Sequence, residues 1–173
     1  MHQQLLAYIR DVPDFPKPGI VFKDFTPLLA DPGALALAVE LMVNPFRGKR
    51  VDLVLGAESR GFIFGTAIAQ ALSAGFVPIR KAGKLPRPVH HVEYALEYGV
   101  DRLEIHTNDI PRGSRVLIVD DLLATGGTLD ASQQLAQMAG ADVIGATVLI
   151  ELIALNGRAK VPSIDPMHAV LKL

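Results

Sequence analysis

The 173-residue sequence predicts an α/β fold with a parallel-sheet core. Short apolar runs, "VDLVL" (51–55), "FVPI" (76–79), "RVLIVDD" (115–121) and "DVIGATVLIELI" (142–153), are separated by stretches of helical period. That alternation is the pattern of strands covered on both faces by helices. Half the residues are hydrophobic and a fifth are charged, which suits one globular domain with a substantial core. Two glycine-bearing loops, 56–61 and 120–128, fall at the carboxyl ends of predicted strands, where ligands gather in open parallel sheets.

Taken in order, "HQQLLAYIR" (2–10) predicts a short amphipathic helix, with Leu5, Leu6 and Ile9 at helical spacing. The following segment carries Pro13, Pro16, Pro18 and Pro27, a density that disfavours helix and predicts stiff, extended chain. It also carries Phe15, Ile20, Val21, Phe22 and Phe25, too apolar for an idle linker. "ALALAVELMV" (34–43) predicts a helix apolar nearly all round, which points to a buried helix or, more sharply, to a homodimer interface. Helices are also predicted over 60–75 and from Thr128 to Met138, and a last strand over His168 to Leu171. Residues 80–106 lack a clean period in their first half and predict a functional loop or lid, or a disordered connection.

Composition removes several functions. Net charge is −1, which gives no support for nucleic-acid binding. There are no cysteines, hence no disulfides or thiolate metal sites, a usage that suits the cytoplasm. The first residues carry no secretion signal, and no apolar run approaches the ~18 residues that span a bilayer. His90 and His91 would point to opposite faces of a strand, and no third ligand is near them in sequence, so zinc is not expected.

The most informative stretch is "VLIVDDLLATGGT" (116–128). Small residues after a buried strand leave backbone N–H groups unobstructed, and the next helix aims its positive dipole end at the same place. Ala124, Thr125, Gly126, Gly127 and Thr128 therefore predict a phosphate cradle, the two threonine hydroxyls adding donors. Asp120 and Asp121 cannot hold the same phosphate; they suit a sugar's vicinal hydroxyls or a divalent cation. Together they predict a ribose phosphate. A plain strand–turn–helix with a threonine N-cap explains one glycine and Thr128 but not the paired acids. "GAESRG" (56–61) has P-loop glycine spacing, yet Phe62 and Ile63 stand where that motif needs Lys and Ser or Thr, so a nucleotide triphosphatase is excluded.

"VLIVDDLLATGGT" closely resembles the phosphoribosyl-pyrophosphate (PRPP) binding motif of the type I phosphoribosyltransferases, and "LLATGGT" is similar to the adenine-specific branch of that family. The likeness extends in the family's order to "DFPKPGIVFKDFTPLL", "GAESRGFIFG", "PIRKAGKLPR" and "LEYG", over nearly all of residues 8–155. It implies the type I phosphoribosyltransferase fold: a single domain over 1–173, with a small base-binding hood in residues 1–30 and a flexible lid loop. It implies a pentosyltransferase reaction in purine salvage, in which adenine and PRPP give AMP and pyrophosphate, with Mg2+ held mainly through PRPP and pyrophosphate.

By the same resemblance Glu97 is the catalytic carboxylate, beside Tyr98 in the lid; it would accept or return a proton, or balance charge. Ser59, Arg60, Arg80, Lys81 and Lys84 would bind pyrophosphate, with a cis peptide at Glu58–Ser59. The backbone of Val21 and Lys23 would read adenine while Phe22 stacks on it. No direct protein ligand to a metal is implied. Enzymes of this fold that act on 6-oxopurines carry an Asp in the phosphate loop; Ala124 stands in the corresponding stretch here, which favours adenine. Glu58 departs from members with Asp there, and "RPVHH" in the lid is unusual. Two alternatives keep the same fold: a PRPP-sensing, nucleic-acid-binding regulator, or a transferase for another purine such as xanthine. The retained "LEYG" and "GIVFKDF" and the charge of −1 disfavour the regulator.

Overall fold

A computed structural model describes residues 2–95 and 100–173. The chain divides into two compact units, Met1–Leu41 and Met42–Leu173.

In the N-terminal unit, helix α1 (His2–Leu6) leads into an antiparallel hairpin of β1 (Arg10–Pro13) and β2 (Val21–Asp24). The predicted helix over 2–10 is thus shorter, because Arg10 already pairs with Asp24. The proline-rich segment is extended as expected, with a cis Phe15–Pro16 peptide in its turn. It gives way to α2 (Thr26–Ala30), which the proline count hid. Pro27 sits in the first turn, where the missing N–H costs nothing. Asp24 initiates that turn: its carboxylate accepts from the Thr26 amide and hydroxyl, both at 2.9 Å. Helix α3 (Pro32–Val43) follows, with Ala34, Ala38 and Met42 forming a buried stripe at helical spacing.

The C-terminal unit is built on a sheet that contains β3 (Leu53–Ala57), β4 (Gly75–Lys81), β5 (Val89–Ala95), β6 (Val100–His106), β7 (Arg115–Leu123), β8 (Asp142–Glu151) and β9 (Met167–Lys172). Its strand order is β5-β6-β4-β3-β7-β8-β9. The five strands from β4 to β9 along that order are parallel, and β6 joins β4 antiparallel. Helix α4 (Arg60–Ala71) follows β3, and α5 (Gly127–Met138) follows β7. Side chains alternate across the strands. Leu55, Ile79, Ile105, Val116, Ile118 and Val148 share a core with Leu129 and Leu135 of α5. Val54, Leu117 and Val119 are equally buried on the alternate positions, as are Phe64 and Ile68 of α4.

Residues 89–95 and 100–106, expected as a functional loop or lid or as a disordered connection, pair as antiparallel strands on the sheet edge, so the disordered alternative fails for them. The outer strand covers only part of its length, with Val92 and Tyr94 inward, so polar residues such as His91 and Glu93 face out and blur the apolar pattern. Elsewhere boundaries shift by a few residues: the strand read at 51–55 runs over 53–57, and the helix read to residue 75 ends at Ala71. No helix among the described residues is long and apolar enough to cross a membrane.

Candidate active site

An open cavity of about 680 Å³ lies at the carboxyl ends of β3 and β7 in the C-terminal unit. Residues 120–129 floor it, residues 58–60 form one wall, and Tyr94 and Lys160 close other sides.

The 124–128 loop has the form that a phosphate cradle requires. Gly126 is the N-cap of α5, in the left-handed region with φ 86°, so the chain can turn sharply from strand to helix. The first helical bond is Asp130 N–H to the Gly126 carbonyl (2.9 Å). The amides of Gly127, Thr128 and Leu129 therefore stand outside the helical ladder at the positive end of the dipole. Thr128 lies inside the first turn and is not the cap. A side chain at Gly126 would collide with the Gly157 carbonyl, and one at Gly157 with the Ala124 carbonyl. Two glycines thus let two backbones touch, and the segment around residue 157 supports the loop from behind.

Asp120 and Asp121 are both buried at the end of β7. Asp120 Oδ1 accepts the Asp121 amide at 2.9 Å. Burial, and then the neighbouring charge of Asp121, push the Asp120 carboxyl well above the usual carboxylate range. Arg60 Nε lies 3.0 Å from Asp121 Oδ2, yet the pair is not aligned as a hydrogen bond. That oxygen has no hydrogen-bond partner among the described residues. A buried carboxylate oxygen in this state suits a donor brought by a ligand.

The basic residues sort themselves differently from what their clustering in sequence suggests. Arg80 Nε and Lys84 Nζ converge on Glu58, at 2.8 and 2.9 Å, and the Lys81 amide donates to the same carboxylate at 2.8 Å. Burial raises the Glu58 carboxyl, but these donors outweigh it and hold it at about 2. The Lys81 ammonium instead lies 3.3 Å from Asp101. Ser59 is the N-cap of α4, without a side-chain cap bond, and the Glu58–Ser59 peptide is cis.

Val21, Phe22 and Lys23 lie on β2 in the N-terminal unit. Val21 is exposed, Phe22 packs edge-on against Phe15 with centroids 5.3 Å apart, and Lys23 pairs with Asp11 at 2.7 Å. Glu97 and Tyr98 lie outside the described residues. The sequence reading missed Tyr94, whose ring carbon lies 3.3 Å from the position a Gly127 side chain would take and whose hydroxyl burial pushes up. It also missed Glu58 as the hub of the cations, and Lys160. Glu58 and Arg80 are 22 residues apart, so no local pattern joins them.

No three His, Cys, Asp or Glu side chains converge as a metal site among the described residues. A magnesium ion, which keeps several waters and takes one or two carboxylates plus substrate phosphates, fits the Asp120–Asp121 pair, whose Asp121 Oδ2 lacks a hydrogen-bond partner among the described residues.

A nucleotide-scale cavity with a glycine-rich loop after an acidic strand end, on a doubly covered parallel sheet, defines a protein that grips a sugar phosphate. Comparison with known proteins sharpens that class. The model of the phosphoribosyl transferase domain matches residues 28–167, and the chain belongs to the phosphoribosyltransferase family. The adenine phosphoribosyltransferase of Rhodopirellula baltica is 53% identical over 171 residues, 99% of this chain and 82% of that protein. The one from Xanthomonas campestris is 56% identical over 163 residues, 94% and 88% of the two chains. Among solved structures, the adenine phosphoribosyltransferase of Rhodothermus marinus superposes with a TM-score of 0.94 at 50% identity, covering 99% of this chain and 98% of its own. The Saccharomyces cerevisiae enzyme, complexed with an iminoaltritol bisphosphate and adenine, does so with 0.90 at 41%, covering 98% and 97%.

Proposed function

We propose that the chain is an adenine phosphoribosyltransferase of purine salvage. The C1′–O bond between ribose and pyrophosphate breaks, a bond from C1′ to adenine N9 forms, and the N9 proton is released. The products are AMP and pyrophosphate. The observation that carries this reading is the juxtaposition of the left-handed Gly126 loop with the buried acid pair in one cavity. The similarity to adenine phosphoribosyltransferases over almost the whole chain selects the base.

In this reading residues 124–128 hold the 5′-phosphate through amides and hydroxyls. Asp120 and Asp121 accept hydrogen bonds from the ribose 2′- and 3′-hydroxyls, Asp121 through the Oδ2 that faces Arg60 without a hydrogen bond. Ser59, Arg60, Arg80, Lys81 and Lys84 receive pyrophosphate. Arg80 and Lys84 exchange part of their contact with Glu58 for the departing charge, so the cations arrive already gathered. Magnesium, held mainly through PRPP and pyrophosphate, would neutralise pyrophosphate as it leaves. Val21 and Lys23 would read adenine by backbone and Phe22 would stack on it, as part of a hood in residues 1–30. Glu97 and Tyr98 are proposed as catalytic and lid residues on their motif alone. The largely apolar α3 supports a homodimer, and the absence of cysteines suits the cytoplasm.

The test is an assay of the purified chain with PRPP, Mg2+ and each of adenine, hypoxanthine, guanine and xanthine. AMP formation from adenine at a kcat/KM well above the other bases is expected. A preference for xanthine, or no nucleotide with any base, overturns the proposal.

A further inference from the structure

The C-terminal segment "NGRAKV" (156–161) carries no recognisable motif, yet its Lys160 lines the cavity. Gly157 begins a short 3-10 turn, Gly157–Lys160, whose backbone lies directly against Ala124 and Gly126. Arg158 pins this turn to the sheet. Its guanidinium grips both Glu151 oxygens, at 2.6 and 2.7 Å, and donates to the Met167 carbonyl at 2.6 Å. Such a two-point pair fixes orientation as well as distance. Lys160, at the end of the turn, starts its side chain beside the loop: its Cβ is 3.1 Å from the position a Gly126 side chain would take.

Charge balance singles out Lys160. Among the described residues lining the cavity, the ionisable acids are Glu58, Asp120 and Asp121, and the cations are Arg60 and Lys160. Arg60 faces Asp121, and Glu58 is occupied by Arg80 and Lys84. Lys160 makes no ion pair with any described residue. A phosphate dianion set beside two acids needs a compensating charge, because amides and hydroxyls supply only partial ones.

We propose that Lys160 is a further phosphate-binding residue: its ammonium neutralises the 5′-phosphate held on the 124–128 loop, and the Arg158–Glu151 pair holds it there. The inference rests on the proposed function, since it takes that phosphate as the ligand. It assigns a specific duty to a lysine 35 residues beyond Thr125 in sequence.

The experiment is calorimetric titration of the full chain, and of its Lys160→Met and Lys160→Arg variants, with AMP, adenosine and pyrophosphate as separate probes. The wild type is expected to bind AMP more tightly than adenosine. Lys160→Met should lose roughly tenfold to a hundredfold in AMP affinity, the scale of one charged hydrogen bond. Adenosine and pyrophosphate affinities should hold, and Lys160→Arg should keep most of the AMP affinity. Unchanged AMP affinity in Lys160→Met overturns the inference, and so does an equal loss for all three probes, which would mark a merely structural residue. A wild type that does not prefer AMP to adenosine overturns the proposed function itself, whatever the variants do.

Discussion

In the proposed reaction the two loops of the cavity would each hold negative charge, by opposite means. The 124–128 loop uses backbone: a left-handed glycine, a helix start and two hydroxyls, packed so closely on Gly157 that no side chain fits between. The 58–60 wall uses side chains: Arg80 and Lys84 are gathered by Glu58, and Arg60 stands beside Asp121. Backbone donors are fixed when the chain folds and cannot be traded away, which suits a group that stays on the sugar throughout. Side-chain cations already balanced by a carboxylate can change partners, which suits a group that must leave.

Neither loop supplies the proton chemistry in the proposed reaction, so the sharpest separation comes from Glu97. Glu97→Gln should lower kcat by roughly 100-fold or more while PRPP affinity persists; stopped-turnover binding and steady-state rates check both halves. An unchanged kcat would remove Glu97 from the chemistry.

Gly126→Val should come next. The left-handed φ and the collision with Gly157 both oppose it, and displacing the loop by even an ångström should cost about 100-fold in kcat/KM for PRPP. Circular dichroism confirms that the variant is folded. If PRPP affinity survives in a folded variant, the backbone loop is not the phosphate site.

At the other loop, Glu58→Gln should raise the KM for PRPP by roughly tenfold while leaving AMP affinity near wild type, because only the pyrophosphate cations lose their organiser. Glu58→Asp should recover part of the loss. The sign of the pH effect follows from the depressed Glu58 carboxyl: its contribution to stability is present above its ordinary value and is lost as pH falls through about 2. The stability gap between wild type and Glu58→Gln should therefore be full at pH 6 and close near pH 2, as thermal melts across that range would show.

The smallest effect is a gain. Asp120 is buried with its carboxyl pushed up by burial and by the neighbouring Asp121, so ionising it opposes folding. Asp120→Asn keeps an acceptor for the Asp121 amide and removes the charge. It should raise Tm by ~2–4 °C and weaken AMP binding. A lower Tm would mean that the acid pair is offset by the fold and not by its ligand.

What the sequence disclosed follows the same division. Strand β7 and the glycine loop were legible because an apolar run, two acids and two glycines sit within 13 consecutive residues, 116–128, and their geometry is local. The edge hairpin of β5 and β6 was not, because its strands expose one face and its pairing is set by the sheet. The role of Glu58 was hidden for a related cause: its partners Arg80 and Lys84 lie 22 and 26 residues away. The Gly126–Gly157 contact joins positions 31 residues apart that carry no shared pattern. Short helix α2 was masked by Pro27, which occupies the one part of a helix that accepts it.

The central claim is that the 5′-phosphate rests on the backbone loop and not among the paired cations. A crystal structure of the chain with AMP tests it directly. Phosphate oxygens within hydrogen-bonding distance of the Thr125 to Thr128 amides are expected, with the Glu58–Arg80–Lys84 cluster unchanged. A phosphate seated on Arg80 and Lys84, with residues 124–128 untouched, would contradict it.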